Sequence, residues 1–174
     1  MPSELKKETV KNLDGSKTEI EYIEPSEKVL EALFRDLFER HWGEITFGPC
    51  VPGAVFEIRL KEKPPKVTIS DGYLTVDTGP WHFHLCLGEN KGAGNPELAR
   101  QRRVGKAAFF RDIREGKGCV PGSWGLRIWN GDAEQMITIF FPNPYLNAEQ
   151  RRQEPDWSKL DLWNQLRNKH GALS

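Results

Sequence analysis

His82, His84 and Cys86 stand at alternate positions and are the side chains in this sequence best placed to do chemistry. In an extended strand, residues two apart share one face, so the two imidazoles and the thiol project side by side, about 6.5–7 Å apart along the backbone. The intervening Trp81, Phe83, Leu85 and Leu87 form a wholly apolar opposite face. Two imidazoles on one face can grip a single metal ion, and a catalytic centre needs about three protein ligands plus an open position for water or substrate. Cys86 is the third ligand on the same strand; Cys50, Cys119, His41, Glu57, Asp77 and Glu89 are candidates from elsewhere. Imidazole with thiolate suits zinc, iron or copper. In such a centre Glu57 or Asp77 serves as base or second-sphere partner, and Arg59 or Arg127, held on a strand, binds an anionic group of the substrate through its planar fork.

The same residues admit other chemistry. His82 or His84 could supply the axial imidazole of a haem, with Trp124 and Trp129 lining a pocket for a planar ligand, although the chain contains no haem-attachment motif. Cys86 with His84 could form a nucleophile–base pair oriented by Glu57 or Asp77, but activated cysteines favour helix N-termini and Cys86 falls in mid-strand. A purely structural reading pairs the histidines with carboxylates and buries the cysteine as a small hydrophobe. The loop Gly88 to Gly94 leads into a helix and offers free backbone N–H groups to an anion, or a flap over the histidines; neither the dinucleotide fingerprint nor the phosphate-loop pattern is present.

The elements that must position these residues are legible in outline. Asp14-Gly15 marks a hairpin joining Val10–Leu13 to Thr18–Ile23. Ser26 caps a helix whose Leu30, Leu33, Phe34, Leu37 and Phe38 form a buried stripe, with His41 continuing it one turn beyond Leu37. A strand is expected over Ala54–Leu60, placing Phe56, Ile58 and Leu60 on one side and Glu57 and Arg59 on the other. Val67–Ser70, Asp71-Gly72 and Tyr73–Thr78 make the strongest hairpin signal, and Gly79-Pro80 delivers the chain into the histidine strand. Asn95 and Pro96 open a helix expected to run to about Glu115, with Leu98, Val104, Ala108, Phe109 and Ile113 inward. Its Arg100, Arg102, Arg103, Lys106, Arg111 and Arg114 would form a basic face suited to an acidic partner. A further hairpin joins Gly125–Asn130 to Glu134–Phe141, and a short helix covers Ser158–Arg167. The tetrapeptide Cys-Val-Pro-Gly occurs at 50–53 and again at 119–122, each time ahead of a strand that contains an arginine.

At 174 residues the chain fits one domain, 1–174, with an N-terminal hairpin over 1–24 and a C-terminal extension over 145–174. Lys+Arg and Asp+Glu balance at 25 each, which argues against the basic surface of a nucleic-acid binder. No apolar run reaches the roughly 20 residues of a membrane span, and no apolar leader follows Met1. Three cysteines suggest free thiols in a cytoplasmic setting rather than a disulfide framework. The expectation is an α+β fold: a mostly antiparallel sheet of about six to eight strands, centred on the histidine strand, with two main helices and a short C-terminal one. The leading functional expectation is a metal-binding protein, an enzyme acting on a small and sometimes anionic substrate through His82 and His84. The alternatives are a haem or other cofactor protein using the same histidines, and a docking module using the basic helix 96–115.

Overall fold

The computed structural model describes residues 6–51, 53–114 and 122–171 and shows an α+β fold with a mostly antiparallel sheet and three helices. β1 (Lys7–Lys11) starts and ends earlier than the expected Val10–Leu13, whereas four strands follow sequence signals closely: β2 (Lys17–Ile23), β6 (Lys66–Ser70), β7 (Tyr73–Asp77) and β8 (His82–Cys86). Short strands β3 (Thr46–Gly48), β4 (Cys50–Val51) and β5 (Ala54–Val55) lie between the first two groups. The long β9 (Val104–Ile113) leads to β10 (Trp124–Asn130) and β11 (Gln135–Phe140). These strands divide into a six-stranded sheet in the order β1-β2-β9-β10-β11-β3, a three-stranded sheet β6-β7-β8 and the small β4-β5 ribbon, all with antiparallel neighbours.

Helix α1 (Glu27–Arg35) begins where expected, with Ser26 Oγ accepting from Val29 N–H at 3.4 Å, and runs on through a π-helical turn, Asp36–Arg40. All five stripe residues, Leu30, Leu33, Phe34, Leu37 and Phe38, are fully buried. They lie in one core that both sheets share: the Phe38 ring meets Phe47 of β3 edge-on at 4.9 Å and Phe83 of β8 at 5.4 Å. Each such side chain contributes about 1.5–3 kcal/mol on burial, so α1 holds the two sheets together. Helix α3 (Asp161–Gly171), entered through a 3₁₀ turn at Trp157–Leu160, adds Leu162, Trp163 and Leu166 to that core. Trp163 Nε1–H donates to the Gly125 carbonyl at 3.1 Å, tying α3 to β10. Its C-terminal end reaches the buried Asp36 in the π turn, which accepts from Lys169 Nζ at 2.6 Å and pairs with His170 Nε2 at 2.8 Å.

Three expectations are corrected. Helix α2 spans only Pro96–Arg102, capped by Asn95 Oδ1; the backbone turns extended at Arg103 and continues as β9. Val104, Ala107, Ala108, Phe109 and Phe110 are buried because β9 is an interior strand covered on both faces, and such a strand loses the period-two alternation that would have identified it. The basic helix 96–115 therefore does not form, and the docking face that depended on it is removed. The strand expected over Ala54–Leu60 is likewise broken: only Ala54–Val55 pairs, with β4, and Ile58 makes an isolated antiparallel bridge to Phe47. Finally, the histidine strand is the edge of the three-stranded sheet and not the centre of a larger one. The second Cys-Val-Pro-Gly, with Cys119, lies outside the described residues apart from its glycine. Among the described residues no helix is long and apolar enough to cross a membrane.

Candidate functional site

The register of β6, β7 and β8 assigns each side chain of the small sheet to a face. Lys66, Asp77 and His82 form one cross-strand row, Thr68, Thr75 and His84 the next, and Ser70, Tyr73 and Cys86 the third. These nine residues share the outward face. Val67, Val76 and Phe83, with Ile69, Leu74 and Leu85, face the core, so the apolar and polar faces separate by strand alternation.

His82 and His84 are exposed neighbours, their ring centroids 4.9 Å apart in an edge-to-face arrangement. Thr75 Oγ1 and His84 Nδ1 share a hydrogen bond of 2.7 Å, and the Tyr73 ring meets His84 edge-on at 6.5 Å. With Nδ1–H donating to Thr75, the Nε2 lone pair of His84 is left for a ligand. His82 contacts the His84 ring and forms no hydrogen bond or ion pair among the described residues. Asp77, opposite His82 in the register, uses Oδ1 to accept from Gly79 N–H at 2.8 Å and so shapes the turn into β8.

Cys86 departs from its two companions. It is buried, its thiol donates to the Gly88 carbonyl at 3.5 Å, and burial pushes its pKa up, with Tyr73 and Arg102 pulling weakly the other way. Burial also raises the Cys50 thiol. Both shifts disfavour the thiolate, and Cys86 is buried while His84 is exposed, so the two do not meet as a nucleophile–base pair. His41 sits beyond the π turn with Nδ1 paired to Glu44 Oε1 at 2.8 Å. The described residues contain no cluster of three or more His, Cys, Asp or Glu side chains able to hold a metal ion. The zinc, iron or copper centre built on His82, His84 and Cys86 is thus not assembled, because the third side chain is buried under its neighbours while the histidines face outward.

The glycine-rich loop is also committed. Asp71, at the β6–β7 turn, accepts from Asn90 Nδ2 at 2.7 Å, Lys91 N–H at 2.8 Å and Gly92 N–H at 3.0 Å. The backbone donors expected to serve an anion or to ride on a flap bind the protein's own carboxylate. Gly72 allows this approach: it has φ +77, and a Cβ there would fall 2.5 Å from the Glu89 carbonyl oxygen.

Two cavities border the region. An apolar slot of about 240 Å³ lies where β8 approaches the edge of the large sheet; its walls include Phe47, Trp81, Phe83, Met136, Ile58 and His84. Trp81 is 38% exposed, and the Phe47 ring lies 6.5 Å from Trp81 and 5.4 Å from Phe83. A charged cavity of about 410 Å³ holds Glu57, Arg59 and Arg127 together with Asp112 and Phe140. Three expected site residues, Glu57, Arg59 and Arg127, thus come together, but apart from the histidines. The tryptophans expected to line a planar site do not: Trp124 is buried against Trp157 and Trp129 lies against Tyr22. The slot instead uses Trp81 and Phe83, read from sequence as core, and Phe47 and Met136, which sequence spacing did not single out, as it did not single out Thr75, the partner of His84. Only Thr75 had a usable signal, its place in the hairpin strand feeding β8.

Solved structures share this fold. A protein from Erwinia carotovora aligns with a TM-score of 0.56 at 14% identity, covering 87% of this chain and 76% of its own. One from Agrobacterium tumefaciens aligns with a TM-score of 0.53 at 18% identity, covering 86% and 71%. ChuX, described as a haem-binding protein, aligns with a TM-score of 0.52 at 13% identity, covering 90% and 78%. At such identities the likeness establishes the fold. No curated protein matches the sequence. Residues 7–171 match the family of unknown function DUF7676, and the chain belongs to that family.

Proposed function

We propose that this protein binds a haem-like planar macrocycle, with its apolar face against the slot between β8 and the large sheet and His84 as the axial imidazole. The observation that carries this reading is the meeting of an aromatic slot with a solvent-facing histidine whose Nε2 is free and whose ring is oriented by Thr75. Iron porphyrins ask for that combination: an imidazole held in a set orientation, and aromatic and aliphatic walls that exclude water from one face. The slot's 240 Å³ is below the roughly 300–1,000 Å³ of an enclosing pocket, so the ligand would be seated on one face and open on the other. His82, exposed beside His84, is placed to exchange with it as ligand. The fold likeness to ChuX supports the class of ligand. When bound, the iron supplies ligand exchange and redox chemistry; the protein's residues hold one face and one axial position.

Titrating the purified protein with hemin and following the Soret band tests the proposal. The wild type is expected to give a saturable, shifted Soret band at one equivalent. His82→Ala and His84→Ala together are expected to lose it, and Thr75→Ala to weaken binding about 10-fold through the freed imidazole. A Soret titration that is unchanged in the double histidine variant, or absent in the wild type, would sink the reading.

A further inference from the structure

We infer that the charged cavity on the opposite face of the large sheet is a second ligand site, one that takes a small oxyanion, a carboxylate or a phosphate group, between Arg127 and Arg59. The register shows why these two converge. Arg127 on β10 faces Thr138 on β11, which faces Gly48 on β3. The Phe47–Ile58 bridge then sets the flanking Glu57 and Arg59 on that same side of the sheet, while Phe47 and Ile58 face the slot.

The charges in the cavity are unequally committed. Asp112 has both oxygens occupied, one accepting from Thr18 Oγ1 at 2.6 Å and the other from Ser123 Oγ at 2.8 Å. Glu44 is paired with His41. Arg114 feels Asp14. Arg127, by contrast, has a buried Nε with no acceptor, and its guanidinium lies over the Phe110 ring, 4.4 Å from the centroid. Neither Arg127 nor Arg59 forms an ion pair among the described residues. An arginine stacked on an aromatic ring is fixed in plane, with its fork free to meet two oxygens, and a buried N–H without an acceptor is costly unless a ligand supplies one. The lining carries three arginines, Arg59, Arg114 and Arg127, and three carboxylates, Glu44, Glu57 and Asp112, so its formal charge balances; what an anion meets is the Arg127 Nε–H that has no acceptor, beside an Arg59 that has no ion pair, among the described residues. Glu57 sets the opposing field: it favours a singly charged group, or one carrying its own donor.

Isothermal titration of the full chain with succinate and, separately, with inorganic phosphate tests this site. At least one of them should bind saturably, and the tighter one assigns the source of the oxyanion. Arg59→Ala, at an exposed position, should weaken that binding at least 10-fold. Arg127→Lys, which keeps the charge and loses the fork, should weaken it comparably. Glu57→Gln should tighten it severalfold, a gain that a structural role for these residues would not produce. Hemin binding should be unchanged in all three variants, because the slot lies across the sheet. The inference is overturned if neither anion binds the wild type at millimolar concentration, or if binding is indifferent to Arg59→Ala and Glu57→Gln.

Discussion

The apolar slot and the charged cavity lie back to back across the edge of the large sheet, and one extended segment contributes to both. Ile58 enters the slot, whereas Glu57 and Arg59 enter the charged cavity. A single register shift in this segment would exchange an isoleucine for two charges. The comparison shows that neighbouring residues in sequence can belong to separate chemistries because strand alternation divides them more sharply than distance does. Glu57, Arg59 and Arg127 read naturally as partners of His82 and His84, since all are polar strand residues, yet the sheet separates them.

The contrast can be broken from either side. The largest expected effect is a double dissociation. Trp81→Ala with His84→Ala should lower hemin affinity by about 100-fold or more while leaving oxyanion binding intact, with both affinities read by titration. Smaller but sharper is a stability comparison at the slot. Phe83, packed between Phe38 and Phe47, should cost about 2–3 kcal/mol on substitution by Ala in urea unfolding. Phe56, 66% exposed in the same part of the chain, should cost under about 0.5 kcal/mol when changed to Ala.

Asp36 tests whether the slot depends on the helical layer behind it. Burial opposes ionisation of this carboxyl, but hydrogen bonds from Lys169 and His170 outweigh that and hold its pKa below the ordinary 3.8. A carboxyl depressed in the folded state contributes stability that is complete above its unfolded pKa and lost as pH falls through the folded one. Asp36→Asn should therefore cost about 2–4 kcal/mol at pH 7 and progressively less below pH 4, measured by urea unfolding at both pH values. The smallest effect expected is at Asp71: Asp71→Asn should cost about 1 kcal/mol and speed amide exchange at Lys91 and Gly92, leaving both ligand sites unaffected.

Much of the fold could be read from local signals. Asp-Gly turns located two hairpins, Ser26 and a three-and-four stripe located α1, and the apolar spacing of Leu160, Trp163 and Leu166 marked the C-terminal helix. What local pattern could not supply was β9. Its run Ala107-Ala108-Phe109-Phe110 is apolar on both faces because neighbours cover both, and an uninterrupted apolar run after a good helix cap reads as more helix. The same difficulty affected the site. The shared face of His82 and His84 follows from period two, but the edge position of β8, the burial of Cys86 and the approach of Phe47 and Met136 depend on which strands meet across the core. The sequence offered Trp124 and Trp129 for a planar site, and only the tertiary packing puts Trp81, Phe47 and Phe83 there instead.

The contact between Asp71 and the glycine-rich loop has one more consequence. A carboxylate held on the same chain acts as a tethered competitor, at an effective concentration on the order of millimolar or higher. It occupies Lys91 N–H and Gly92 N–H before a free phosphate can arrive, so the stretch that most resembles a nucleotide cradle is self-inhibited by construction. The fold thereby directs incoming anions away from that loop and toward Arg127 and Arg59, neither of which is ion-paired among the described residues.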